Sequence, residues 1–170
     1  ENALLPKIAK LSGDMKNFDE AVKEIEILDE NWKLLLAGDN DRRFFEASWM
    51  HKYNGKYYFS YSTGDTHYIC YAVGDNPYGP FTYGGRILEP VAGWTSHHSI
   101  CKFNDKWYLF YHDSILSKGI THLRSIKVTD LLHDKNGRII TINPYKVWYF
   151  VKMSFYFKQQ KFFFAVDCVV

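Results

Sequence analysis

An internal repeat with a constant offset of 50 residues restricts the fold of this 170-residue chain more than any other feature. When residues 50–61 are aligned with residues 100–111, the identical pairs are Lys52/Lys102, Asn54/Asn104, Lys56/Lys106, Tyr58/Tyr108 and Tyr61/Tyr111. Strand-like segments that run into an aspartate also recur, at residues 8–14, 71–75 and 125–130. Sets of short strands that recur about every 50 residues are typical of β-propeller blades. The alternative is two unrelated hairpins that share common turn chemistry.

Strand and turn signals support the repeat. Asn54-Gly55 is the dipeptide most favoured in a two-residue hairpin turn, and Asn104-Asp105 occupies the same place in the second repeat. A turn is predicted at Ser12-Gly13-Asp14, and residues 18–28 fit a half-buried strand better than a helix. The other predicted strands lie at 8–11, 50–53, 57–61, 68–73, 99–103, 107–111 and 122–128, with a turn-rich connector at 74–80.

These signals predict an all-β fold with about three propeller blades over residues 1–145. The propeller is expected to be partial, because about four blades are needed to close one. Residues 146–170 form an aromatic tail without turn signals or a blade pattern, and we assign it no role. Lys152, Lys158 and Lys161 interrupt this tail, so it is a poor candidate for a membrane span.

Composition excludes several classes of partner. The formal net charge is +2, with 21 basic and 19 acidic residues and no dense basic block, so neither nucleic acid nor a membrane is the expected partner. Aromatic residues make up 18% of the chain, which suits both a β-rich core and a protein that stacks sugars. Cys70, Cys101 and Cys168 have no disulfide or zinc spacing, and Cys70 and Cys101 are expected to be buried free thiols.

Glu46 lies in an aromatic run, between Phe44-Phe45 and Trp49, at the head of the first repeated hairpin. A carboxylate in such surroundings must find a partner or have its pKa raised by desolvation. A carboxylic acid that stays protonated near neutral pH can act as a general acid. The alternative is a partly exposed glutamate at the start of a strand.

The segment 93–99 stands in the same position relative to the second repeat and contains His97 and His98. Neighbouring residues of a strand point to opposite faces, so only one of these histidines is expected to reach the propeller axis, and the pair cannot share one metal ion. They are alternatively two polar residues at a strand entrance. Arg124 is predicted to lie within the strand at 122–128, where it is either solvated or turned inward and paired.

Several segments, in the right order, resemble glycoside hydrolase family 43. These are residues 43–50 (Arg-Phe-Phe-Glu-Ala-Ser-Trp-Met), 52–62, 71–81 and 94–100, and the resemblance covers about residues 4–145. It implies a five-bladed β-propeller that hydrolyses arabinofuranosyl or xylosyl linkages of plant polysaccharides with inversion.

By this resemblance, Glu46 occupies the general-acid position and Arg124 that of an arginine in the substrate site. His97 corresponds to the histidine at the propeller axis that, in many members, ligates a calcium ion directly or through water. Trp94 and Trp49 are candidate sugar-stacking or pocket-wall residues. The expected partner is an arabinose- or xylose-containing oligosaccharide or polysaccharide, and the expected location is secreted or periplasmic, although the chain shows no signal peptide.

The resemblance also has departures. Ala47-Ser48 stand where Gly-Pro or Ala-Pro is usual in the family. The aspartates that act as general base and tune the acid lie in blades that have no counterpart in this chain, and Asp14 and Asp19 match neither. We therefore expect little or no activity from the chain alone, because inverting hydrolysis needs two carboxylates. The alternatives are a non-catalytic carbohydrate-binding propeller fragment and a non-functional product of a truncated gene.

Overall fold

A computed structural model describes residues 1–94 and 96–145. The predicted tail at 146–170, with Cys168, lies outside the described residues. Ten strands and no helix are found in the part described, so no helix there could cross a membrane. The strands are β1 (Lys7–Ile8), β2 (Lys23–Glu24), β3 (Ile27–Leu28), β4 (Glu46–Tyr53), β5 (Lys56–Ser62), β6 (Ile69–Gly74), β7 (Phe81–Leu88), β8 (His98–Phe103), β9 (Lys106–Asp113) and β10 (Ser125–Asp130).

The described strands form three sheets. The largest has the order β3-β7-β6-β5-β4, in which β4 to β7 make an antiparallel meander and β3 adds to β7 in parallel. A second sheet has the order β10-β9-β8, and β1 pairs with β2 alone. The meander of β4 to β7 is one four-stranded propeller blade, and β8 to β10 repeat its first three strands. The prediction of an all-β partial propeller is confirmed.

The two repeated hairpins close with the same turn. Asn54 and Gly55 have φ values of 47° and 80°, and Asn104 and Asp105 have values of 47° and 62°. Positive φ at both central residues defines the type I′ turn, whose twist matches that of the flanking strands. The hairpin predictions are therefore confirmed at both places.

The core explains why the strands of the first blade are apolar on both faces. On one face, Tyr58, Ile69 and Tyr71 pack against Ile100 and Leu109 of the second blade. The other face belongs to a second cluster that contains Ile25, Ile27, Leu35, Phe59, Tyr61, Cys70, Ala72 and Phe81. The first blade is thus covered on both sides, which is why β5 and β6 read as nearly continuous hydrophobic runs.

The structure corrects several details of the sequence prediction. The strand β7 was not predicted, because Gly84-Gly85 and Arg86 interrupt its pattern. Gly84 is needed there, since a Cβ at this position would lie 2.4 Å from the ring of Tyr71. The first strand covers only Lys7–Ile8. Cys101 is exposed, not buried, because its sheet is covered on one face only among the described residues.

Candidate active site

Glu46 begins β4, the strand of its blade that lies nearest to β8 of the next blade. The register places Glu46 opposite Ser62 and Trp49 opposite Ser60, so a β-bulge falls at Ala47 and Ser48. Ala47 has a φ of 58°, a left-handed conformation that strand residues rarely adopt. A bulge bends the strand and re-aims the side chains next to it, so it controls where the Glu46 carboxylate points.

The two aromatic residues before Glu46 have different surroundings. Phe44 packs against the ring of Tyr61, with centroids 5.9 Å apart, and belongs to the core. Phe45 is 50% exposed and lies over Gly64, where a Cβ would come within 2.9 Å of its ring. Glu46 itself keeps 36% of its side chain exposed. The carboxylate is therefore within reach of a ligand from solvent.

The partner that Glu46 finds is His97, from the segment that leads into β8. Nε2 of His97 lies 3.5 Å from Oε1 of Glu46, and the His97 side chain is 52% exposed. The segments that precede the two repeated hairpins, one with Glu46 and the other with His97, thus converge at one end of the two blades, as the repeat predicted.

Behind His97 stands His112, near the end of β9. The backbone N–H of His97 donates to Nε2 of His112 at 3.0 Å, and Nη1 of Arg124 lies 3.4 Å from the same nitrogen. The hydroxyl of Ser96 donates to the backbone carbonyl of His112 at 2.9 Å. Burial, Arg124 and His97 together lower the pKa of His112, so its ring is neutral and accepts these hydrogen bonds.

Arg124 lies just before β10 and not within a strand, because that strand begins at Ser125. It is exposed, and its Nε donates to the backbone carbonyl of Thr121 at 3.2 Å. Through His112 it belongs to the same cluster as His97 and Glu46. The prediction that it lies inside a strand was wrong, and its role in the substrate site stays a prediction.

His98 points away from His97. Its Nε2 lies 2.7 Å from the hydroxyl of Ser60 on β5, between the two blades. Burial lowers the pKa of His98 to about 3, so this ring is a neutral structural group. The divergence of the two adjacent side chains agrees with the alternation expected of a strand.

The two candidate tryptophans differ in their surroundings. Trp49 packs against the core between the blades, and its indole N–H donates to the carbonyl of Ile100 at 3.0 Å. Trp94 is 62% exposed and meets the ring of His67 edge-on, with centroids 5.2 Å apart. His67 lies on the β5–β6 loop, which also carries Gly64 below Phe45. A sugar-contacting role remains a prediction for both tryptophans, and the exposed face of Trp94 suits it better.

The side chains around His97 offer few oxygen donors to a calcium ion. Calcium takes six to eight oxygen ligands, but the groups around His97 are two imidazoles, one guanidinium and the single carboxylate of Glu46. Nowhere in residues 1–94 and 96–145 do three His, Cys, Asp or Glu side chains form a group that could hold a metal ion. The carboxylate of Glu46 is thus the oxygen donor that these side chains offer beside His97, so a calcium ion here would take most of its ligands from water, and no chemical step is assigned to one.

Sequence reasoning missed His112. His112 is separated from His97 by a hairpin, so only the pairing of β8 with β9 brings the two together. The aligned repeat offered one signal, since residue 112 follows directly after the matched Tyr111.

Comparison with known proteins identifies the chain, although no family model matches it. It is 66% identical over 143 residues to xylosidase/arabinosidase 43A of Humicola insolens, covering 84% of this chain and 44% of that protein. It is 65% identical over 142 residues to a xylosidase/arabinosidase of Bacteroides ovatus, with the same coverage. Among solved structures, a family 43 β-xylosidase/α-arabinofuranosidase from a compost metagenome, in complex with xylotriose and in a calcium-free form, has a TM-score of 0.83 and 67% identity. That match covers 85% of this chain and 44% of the other.

The chain belongs to glycoside hydrolase family 43. A family 43 enzyme from Xanthomonas citri gives a TM-score of 0.84 at 58% identity and again covers 85% of this chain and 44% of its own. The chain thus spans less than half the length of the family 43 relatives it matches.

Proposed function

We propose that this family 43 chain supplies the general-acid side of a glycosidase pocket that acts on xylosyl or arabinofuranosyl linkages. The observation that carries the proposal is the approach of Glu46 to His97 across two blades. A protonated Glu46 would donate its proton to the glycosidic oxygen as the bond to the sugar breaks. The names of the relatives and the xylotriose bound to the compost-metagenome enzyme support this choice of sugars.

The rest of the cluster would position the acid and the sugar. His97 lies against the carboxylate, His112 accepts the backbone N–H of His97, and Arg124 is the nearby cation of the cluster. An arginine at this place can donate hydrogen bonds to sugar hydroxyls. The bulge at Ala47 and Ser48 sets the direction in which the Glu46 side chain leaves the strand.

An inverting glycosidase needs a second carboxylate that activates water on the opposite face of the sugar. We propose that this base belongs to the part of a family 43 protein that lies outside the match. The 170-residue chain is then expected to hydrolyse 4-nitrophenyl β-xyloside and α-arabinofuranoside at background rates only.

Complementation tests the proposal. The chain is co-expressed with the part of the Humicola insolens relative that lies outside the match, and hydrolysis of both nitrophenyl glycosides is measured. Activity that appears with the wild-type chain and is lost with Glu46→Gln supports the proposal. If the complemented protein keeps its activity with Glu46→Gln, the assignment of the acid is contradicted. Glu30→Gln, at an exposed glutamate, is the control and should keep the activity.

A carbohydrate-binding role without catalysis is the second candidate. It is favoured by the exposed rings of Trp94 and Phe45 at the same end of the blades as Glu46. Binding of arabinoxylan that survives Glu46→Ala and is lost with Trp94→Ala would support this reading. Loss of binding with Glu46→Ala alone would count against it.

A further inference from the structure

The outer face of the second blade, on the side away from the first blade, is apolar and open to solvent among the described residues. The opposite side of the sheet β10-β9-β8 packs on the first blade through Ile100 and Leu109. Phe110 pairs with Val128, and the alternation of side chains along β9 turns both away from Leu109. The exposed apolar side chains of this outer face are Phe103, Phe110, Ile126 and Val128. Exposed apolar patches of this kind mark interaction surfaces.

Charged side chains stand at the two ends of the outer face and leave its centre apolar. Lys106 and Asp130 lie at one end, on β9 and β10, and Arg124 lies at the other, just before β10. Between these ends, Ile126 is 82% exposed. An apolar centre with a polar rim is the usual anatomy of a protein–protein interface.

The chain has a second open surface at its N-terminal end. Ile8 of β1 packs against the cluster on the other face of the first blade, so the β1–β2 pair and the sheet of the second blade lie on opposite sides of that blade. Leu11 and Phe18 pair in an antiparallel bridge just after β1, so their side chains lie next to each other. The exposed apolar side chains of this N-terminal surface are Leu4, Leu11, Phe18 and Val22.

The length of the chain indicates what would cover both surfaces at once. One copy holds the two blades β4–β7 and β8–β10 and the β1–β2 pair. Two copies therefore provide roughly four to five blades, and a propeller closes with about four to eight. The matched part is 44% of the Humicola insolens relative, so two copies approach the full length of that protein. The formal net charge of +2 is small, so two copies repel each other little.

We propose that two copies of the chain assemble head to tail, with the outer face of one copy seated on the N-terminal surface of the other. Twofold symmetry makes this contact twice, so all four apolar surfaces are buried in one closed pair. Closure stops the assembly at two copies, whereas a head-to-tail contact that does not close produces filaments. The pairing goes beyond the proposed function and does not depend on Glu46. The part of a relative added for complementation would compete for the same two surfaces.

Sedimentation of the 170-residue chain over a range of concentrations tests the proposal. We expect the mass of two copies, twice the 20.0 kDa of one chain. Ile126→Glu and Phe18→Glu each place an unpaired charge in one of the two surfaces and should each weaken association by about tenfold or more. Phe45→Glu, at an exposed ring outside both surfaces, is the control and should associate as the wild type does.

A mixture of the two variants tests the head-to-tail arrangement. A mixed pair keeps one contact in which both surfaces are unchanged, so the mixture should associate more tightly than either variant alone. Val128→Glu and Leu11→Glu repeat the test at a neighbouring residue of each surface, and circular dichroism shows which variants are folded. A wild-type chain that stays a single copy, a pair that folded Phe18→Glu leaves intact, or a series of ever larger species overturns the proposal.

Cys101 also lies on the outer face and is exposed, so its alkylation reports how the face is covered. In a Cys168→Ser variant, with Cys70 buried, the rate of alkylation should fall as the protein concentration rises. Protection that does not depend on concentration would mean that a segment of the same chain, such as residues 146–170, covers the face. That result would also overturn the proposal.

Discussion

The hydroxyl of Ser60 lies 2.7 Å from Nε2 of His98 and joins β5 of the first blade to the start of β8 in the next. Ser60 is fully buried, and the same hydroxyl lies 3.4 Å from the carbonyl of Trp49 on β4. This contact lies between the two blades, one residue away from His97. It therefore connects the packing of the blades to the position of the proposed pocket.

Ser60→Ala is expected to destabilise the chain by about 1–3 kcal/mol, because it leaves the buried Nε2 of His98 without a partner. Ser62 is a matched control on the same strand, since it is equally buried but its hydroxyl has no partner. Ser62→Ala should leave the free energy of unfolding unchanged or raise it, because it removes a buried hydroxyl that has no partner. Urea denaturation measures both, and equal effects of the two substitutions would contradict the role assigned to Ser60.

Stability should fall as the pH drops below 6.5. Burial lowers the pKa of His51 and that of His98 to about 3, against an ordinary value of 6.5. Below pH 6.5 the unfolded chain therefore binds protons that the folded chain does not, which favours unfolding. We expect a loss of about 1 kcal/mol per histidine between pH 7.5 and 5.5.

Urea denaturation at pH 7.5, 6.5 and 5.5, with chelator present, measures this slope. His51→Phe should reduce the slope but leave the contribution of His98 in place, because phenylalanine fits among the aromatic rings and does not titrate. A slope of zero, or one that His51→Phe leaves unchanged, would contradict the assignment.

The parts of the fold that depend on short-range chemistry could be predicted from the sequence. Asn54-Gly55 and Asn104-Asp105 indicated their turns because only a few residues tolerate positive φ at both central positions. The strand β7 could not be predicted, since Gly84, which interrupts its pattern, is required by the close approach of Tyr71 from the neighbouring strand. The exposure of Cys101 could not be predicted either, because burial depends on which neighbouring sheets cover a face.

The positions of Glu46 and His97 in the candidate site could be predicted, but those of the surrounding residues His112 and Arg124 could not. The repeat placed Glu46 and the segment of His97 at equivalent positions, and the structure brings them to 3.5 Å. His112 depends on the pairing of β8 with β9, and the start of β10 decides that Arg124 precedes the strand. Such details follow from register, which a hydrophobic pattern constrains only weakly on exposed strands.

Ala47→Gly is expected to stabilise the chain by roughly 1 kcal/mol, because glycine adopts the positive φ of the bulge without steric cost. Bulges of the type that places its first residue in the left-handed region usually have glycine there. Ala72→Gly, in the buried strand β6, is the control and should destabilise by roughly 1 kcal/mol. Urea midpoints that fall for both variants would show that the bulge is not strained by its alanine.

The second hairpin turn offers a reciprocal pair of substitutions. Asp105 holds a φ of 62° where the first hairpin has Gly55 at 80°. Its ion pair with Lys102, at 3.1 Å, is exposed to solvent and contributes little. Asp105→Gly should therefore raise the free energy of unfolding by roughly 0.5 kcal/mol, and Gly55→Asp should lower it by a similar amount. Thermal and urea denaturation of the two variants measure the difference, and a loss of stability in Asp105→Gly would mean that the ion pair outweighs the cost of the turn conformation.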